Sequence, residues 1–405
     1  RDELPGSNNW ALGGAFSASG AALVANDMHL SLGVPATWYR MRLRVRDAGM
    51  TDGAPLELNG VTLPGTPALV AGSNGRIAWG YTNSYGDWSD VIEVSCDLAR
   101  NVYRTNEGER TFALHRERIV VRGASDETLE VRDSPLGLVL DASVDGRQCT
   151  LVRWLAVEPG ATNLGMLDFE RAADVAQAVA LAPQVGMPQQ NLVVGDRAGH
   201  IAWTIIGRIP LDPDGPRAAR PVRWRDAATQ PAIVDPELGR LWTANARAVE
   251  GEAERIIGGD EAAGGLGYDQ GARARQIRDD LLALVHPATP ADMLAIQLDD
   301  RARFLDRWRR LLLATLDEEA LKNAPRRAEL RRLAERWGGR ASPDSAGYRI
   351  VREFRTQTEL AVWRMLLGAL GVDPGDQAPA RQFEAPLWRL VTEQPEHLLA
   401  DAGAE

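Results

Sequence analysis

The chain has 405 residues, 44% hydrophobic and 25% charged, with a formal net charge of −10. That balance is typical of a folded protein of one large domain or two ordinary ones; with a pI near 5.2 it excludes a general nucleic-acid binder. No apolar run reaches the roughly 18 residues that mark a membrane-spanning helix.

In chain order, the first part reads as strands. Short apolar or alternating runs fall at 21–25, 38–45, 67–70, 76–79, 118–121, 192–194 and 201–203. Gly, Asn and Asp clusters punctuate them, and the GDRAG run at 195–199 predicts a hairpin turn. An Ala-rich stretch at 172–181, free of Gly and Pro, predicts a helix among the strands. Beyond about residue 268 the pattern turns helical, with stretches predicted at 272–285, 290–321, 325–337 and 346–370. Thr289 stands as an N-cap, with Pro290 at the first helical position and Asp292 where a capping box places its acid. Leu305, Trp308, Leu312 and Leu316 recur at helical spacing, so the Arg-rich faces opposite them are solvated surface. Strands first and helices second imply an α+β class. Two cysteines, Cys96 and Cys149, lie beside strand-like runs, and either a disulfide or two buried thiols suits that placement.

No nucleophile elbow, phosphate-binding loop, zinc-protease motif or dinucleotide fingerprint is present in the sequence. The five His residues, His29, His115, His200, His286 and His397, show no metal-ligand spacing. What does stand out is an ordered series of runs: GSNNWAL at 6–12, ANDMHL at 25–30, PATWY at 35–39, LPGTP at 63–67, GRIAWGYT at 75–82, PQQN at 188–191, GRIP at 207–210 and TAN at 243–245. In this order they resemble the penicillin acylase family of N-terminal-nucleophile hydrolases, which includes the cephalosporin and acyl-homoserine-lactone acylases. The resemblance implies an αββα sandwich, two packed sheets flanked by helices, with a helical region in the C-terminal third.

It also implies a chemistry. A Ser hydroxyl needs a base to become a nucleophile. In the family, self-cleavage before the Ser frees an α-amine, whose ordinary pKa of about 7.7–8.0 suits general-base work. By resemblance the cut bond is Gly6 to Ser7, and with Gly6 attached the chain is an inactive precursor. His29 matches a family position that orients the Ser amine or hydroxyl and contacts substrate. The oxyanion donors map to the Asn245 side chain and the Asn83 backbone N–H, with Arg273 as a supporting cation. For a structural calcium, which some members bind, the matching ligands are Asp87, Ser89, Asp90, Pro210 and Glu252, an oxygen set suited to that ion. No cofactor is implied for catalysis.

The organisation implied is the end of a spacer at 1–6, a catalytic sheet domain at 7–270 and a helical region at 271–405, cut short at its end. The partners implied are a small subunit from the same precursor and a small acyl-amide substrate such as a penicillin, cephalosporin or acyl-homoserine lactone; the location implied is periplasmic or secreted. Two rival readings carry different tests: a non-catalytic binding module with Ser7 never released, and a Ser-His-Asp hydrolase using an internal Ser.

Overall fold

The computed structural model describes residues 6–46, 53–211, 222–259, 267–373, 375 and 378–395; most of the expected spacer lies outside them. The chain divides into two compact units, Arg1–Gly267 and Tyr268–Glu405. The first unit opens with β1 (Gly6–Leu12), β2 (Leu23–His29), β3 (Tyr39–Val45), β4 (Leu56–Thr62), β5 (Ala71–Ser73) and β6 (Ile77–Asn83). A run of seven follows: β7 (Ser89–Asp97), β8 (Val102–Thr105), β9 (Gly108–Thr111), β10 (Ala113–Ile119), β11 (Glu127–Ser134), β12 (Gly137–Ala142) and β13 (Gln148–Trp154). After helices α1 (Met166–Phe169) and α2 (Val175–Leu181) come β14 (Gln190–Asp196), β15 (Ile201–Ile206), β16 (Ala232–Val234), β17 (Arg240–Thr243) and the short helix α3 (Glu252–Ile257).

These strands make a small sheet, β17-β1-β2, and a large one, β16-β15-β14-β6-β5-β4-β3. Strand β15 is buried throughout and β14 nearly so, because both faces of the large sheet are covered. Their alternate side chains part accordingly. Leu192 and Val194, with Trp79 and Tyr81 of β6, pack on Phe169, Val175 and Ala178 of the helical layer. Val193, Trp203 and Ile205 turn the other way, onto Ala11 and Leu241 of the small sheet. Burying each large side chain of this set contributes about 1.5–3 kcal/mol. The layers therefore run helix, sheet, sheet, and β1, which carries Ser7, is the middle strand of the outer sheet.

The third sheet, β10-β11-β12-β13-β7-β8-β9, has a core cluster of its own. A disulfide joins Cys96 of β7 to Cys149 of β13, deciding between the two readings of those cysteines. It sits in a cluster with Val94, Tyr103, Phe112 and Leu151.

Two sequence expectations shift here. Residues 67–70 form turns, not a strand, because the Leu69 N–H is taken by the Glu170 carboxylate at 2.6 Å and Thr62 Oγ1 donates to the Ala68 carbonyl at 2.6 Å. The helix expected at 172–181 starts at Val175, where Asp174 caps it by accepting the Gln177 N–H at 2.8 Å.

The second unit contains α4 (Ala272–Ala283), α5 (Pro290–Gln297), α6 (Asp306–Thr315), α7 (Glu318–Leu321), α8 (Pro325–Glu335), α9 (Ala346–Ala369) and α10 (Glu384–Glu393). The stretch expected as one helix over 290–321 is three. It breaks where Arg301 leaves the helical path to bridge Arg340, and the Ala302 N–H donates to the Gly339 carbonyl at 2.8 Å. The capping box is present: the Asp292 carboxylate accepts the Thr289 N–H at 2.8 Å. Leu305, Trp308, Leu312 and Leu316 are all buried, in a core with Val351 and Leu387.

Candidate active site

Strand parity arranges the site. In the β1–β2 pairing Gly6 faces His29, Ser7 faces Met28, Asn8 faces Asp27 and Asn9 faces Asn26. Side chains alternate across a sheet, so Ser7 and Asn9 point to the large sheet, while Asn8, Asp27 and His29 share the reverse face. On its other edge β1 meets β17 only from Asn9, which faces Thr243.

Beyond Thr243 the chain turns, and Asn245 takes a left-handed conformation with φ +63°. Asn tolerates that region better than most residues. The turn aims its side chain at Ser7. Asn245 Oδ1 accepts the Ser7 N–H at 2.7 Å, and its Nδ2 lies 3.3 Å from Ser7 Oγ and 3.2 Å from the Asn83 carbonyl oxygen. Ser7 is 7% exposed and Asn245 1%. Three residues expected from the sequence, Ser7, Asn83 and Asn245, thus meet, Ser7 and Asn245 buried and Asn83 exposed at the end of β6.

Several residues to which the sequence reading gave no role hold this cluster. Asn191, the last residue of PQQN, donates to the Thr82 hydroxyl at 3.2 Å and the Asn83 carbonyl at 3.3 Å, and is itself fixed by Trp203 Nε1 at 3.1 Å. Thr82 Oγ1 lies 2.9 Å from Thr243 Oγ1, tying β6 to β17. Asn9 Nδ2 donates to the Gly80 carbonyl at 2.6 Å; Asn26 Nδ2 donates to the carbonyls of Asn8 at 2.6 Å and Tyr81 at 2.8 Å. Gly80 is required by this approach, since a Cβ there would meet Asn26 Cβ at 2.6 Å. The runs SNN, AND and GYT therefore stitch the two sheets together beside Ser7. On the helix side of β6, burial first and the Glu170 charge second hold the Tyr81 phenol well above the usual tyrosine range. Burial also raises the Glu170 carboxyl, against the Leu69 N–H that favours its anion.

The other expected residues have these partners. His29 Nε2 is 2.8 Å from Asp27 Oδ2 and 3.2 Å from Asn8 Nδ2, on the face opposite the Ser7 side chain. Arg273 is in the first turn of α4, in the second unit, and pairs with Asp269 at 3.2 Å. Asp87 is buried, its N–H on the Ile257 carbonyl at 2.9 Å, and Ser89 and Asp90 start β7. Pro210 bridges Trp224. The Glu252 carboxylate forks onto Arg255 at 2.6 and 3.0 Å, an engagement that does not suit a calcium ligand. Among the described residues no three His, Cys, Asp or Glu side chains come together to hold a metal.

Known proteins are similar to this chain. The acyl-homoserine lactone acylase QuiP of Pseudomonas aeruginosa is 28% identical over 267 residues, 60% of this chain and 30% of that protein. The penicillin acylase 2 proenzyme of Pseudomonas sp. strain SE83 is 28% identical over 396 residues, 94% of this chain and 47% of that protein. The chain spans less than half the length of either relative. A solved thermostable penicillin G acylase from Alcaligenes faecalis superposes with a TM-score of 0.53 at 17% identity, covering 98% of this chain and 79% of that one. That likeness shows the fold, the N-terminal-nucleophile sandwich expected from the sequence, with helices gathered in the C-terminal part. The family model described as penicillin amidase matches residues 1–403, and the chain belongs to that family.

Proposed function

We propose that this chain supplies the nucleophile and oxyanion side of an acylase that hydrolyses linear amides, with Ser7 as the nucleophile once the bond from Gly6 is cut. The observation that carries the reading is the Asn245 side chain, which engages both the Ser7 nitrogen and the Ser7 hydroxyl. That nitrogen is the atom that becomes the general base when it is freed. Ser7 Oγ then attacks the acyl carbon and passes its proton to the Ser7 amine. The oxyanion is met by Asn245 Nδ2 and the Asn83 N–H. The amine gives its proton to the leaving nitrogen, and water, activated by the same amine, releases the acyl group.

Acyl-homoserine lactones and penicillins are the substrate classes that the relatives' names suggest, and the imidazole at position 29 favours the former by resemblance. A processed partner subunit is supported by the proenzyme relative. The Cys96–Cys149 disulfide supports an oxidising compartment such as the periplasm. Intact-mass measurement of the protein made from the full-length gene tests the reading: cleavage before Ser7 in the native protein, and none in Ser7→Ala, is expected. Uncleaved native protein, or activity retained by Ser7→Ala, refutes it.

A further inference from the structure

Cleavage before Ser7 removes Gly6, and with it one residue of the β1–β2 pairing. The new terminus is then held by a backbone ladder on one edge only, because β17 reaches β1 no further than Asn9. Beyond the ladder the Asn245 side chain holds that residue, and the chain start stays in place only if the strand behind it is fixed as well. A base that frays loses its position against the nucleophile.

The reverse face of the strand pair carries such a tie. The Asp27 carboxylate faces Asn8 across the strands; Asp27 Oδ2 accepts Asn8 Nδ2 at 3.2 Å and His29 Nε2 at 2.8 Å. A carboxylate only accepts, so His29 carries its proton on Nε2. The 3.2 Å separation of Asn8 Nδ2 from His29 Nε2 is then a meeting of two donors around one shared oxygen. The other oxygen, Asp27 Oδ1, is buried and has no hydrogen-bond partner among the described residues. Keeping an unsatisfied buried acceptor costs about 1–3 kcal/mol. What Asp27 contributes is therefore what Oδ2 holds.

We propose that Asp27 is a positioning residue: steadied by the His29 imidazole on its own strand, its carboxylate grips the Asn8 amide and ties the start of the nucleophile strand onto β2, so that the freed Ser7 amine stays on Asn245. On this assignment His29 acts through Asp27 and not by proton transfer to substrate. The inference rests on the proposed role of Ser7, and its test keeps the two apart.

Asp27→Ala, Asp27→Asn and His29→Gln are made in the full-length gene. Cleavage is followed by intact mass, and kcat, KM and the pH profile of kcat are measured on straight-chain acyl 4-nitroanilides. Asp27→Ala is expected to lower kcat about tenfold or more with KM within about twofold, because a displaced base weakens the transition state without weakening substrate binding. Asp27→Asn keeps an accepting oxygen for both donors and restores most of the rate. His29→Gln keeps a donor towards Asp27 and leaves the shape of the pH profile unchanged. Native kcat in Asp27→Ala overturns the proposal, as does an equal loss in Asp27→Asn or the disappearance of a titrating limb in His29→Gln. If Asp27→Ala does not fold, the other two variants still decide. Failure of the Ser7 reading itself shows separately, as activity retained by Ser7→Ala.

Discussion

Replacing Asn245 separates its chemical and its conformational roles. Asn245→Ala removes the acceptor of the Ser7 N–H and the donor to Ser7 Oγ. The Asn83 carbonyl keeps Asn191 Nδ2 as a donor, so the main unsatisfied group in the uncleaved chain is the buried Ser7 N–H, at about 1–3 kcal/mol. Ala also resists the left-handed conformation at φ +63°, adding roughly 1–2 kcal/mol. Asn245→Gly carries the first cost without the second, and is expected to be the more stable of the two by about 1 kcal/mol. In catalysis both lose the same oxyanion donor, worth about 10²–10³ in kcat. Denaturant midpoints and steady-state kinetics on an acyl anilide read the two effects independently, with intact mass reporting cleavage. A kcat within about threefold of native in either variant would refute the oxyanion role. Equal stability of the Ala and Gly variants would refute the conformational argument.

Gly80→Ala forces a Cβ into Asn26, and an overpacking loss of about 1–3 kcal/mol is expected together with reduced activity; calorimetry showing an unchanged Tm would count against the stitch between the sheets. Glu170 is raised by burial, so the fold favours its protonated form more than the unfolded chain does. Its contribution to stability is present below the unfolded carboxyl pKa and lost as pH rises through the higher folded value. Glu170→Gln should therefore gain on the native protein as pH climbs through that window, measured by urea unfolding at a series of pH values; parallel curves would contradict it. Cys96 and Cys149 close a loop with a sequence separation of 53, for which chain entropy gives about 4 kcal/mol. Reduction, or the double Ala variant, should lower the denaturant midpoint of the first unit, and an unchanged midpoint would show that the third sheet unfolds independently of it.

The runs around Ser7, Asn83 and Asn245 were legible because each is a local sequence with a distinctive chemistry, and their order along the chain linked them. What could not be read was parity. That His29 falls on the reverse face from Ser7 depends on a register set by strand pairing, and one residue of slip would have reversed it. Asn191 was visible within its run, but its role depends on β14 lying beside β6, a long-range adjacency. The third sheet was only partly foreseen, since exposed strands such as β10 carry charged cross-strand pairs like Arg116 with Glu130, at 2.9 Å, in place of an apolar stripe. The break within 290–321 is likewise set by a partner far along the chain, near Arg340.

The left-handed turn at Asn245 has one more consequence. Where β17 stops, at Thr243 opposite Asn9, the open edge of β1 beside Ser7 should meet another backbone. A carboxamide side chain stands there instead. It presents a carbonyl to the Ser7 N–H and an N–H to its neighbours, as a peptide group of a continuing strand would. Asn245 is in this sense a counterfeit of strand backbone, and the imitation has a use. A true strand would bury that edge behind further main chain, whereas a single side chain satisfies the same groups without one.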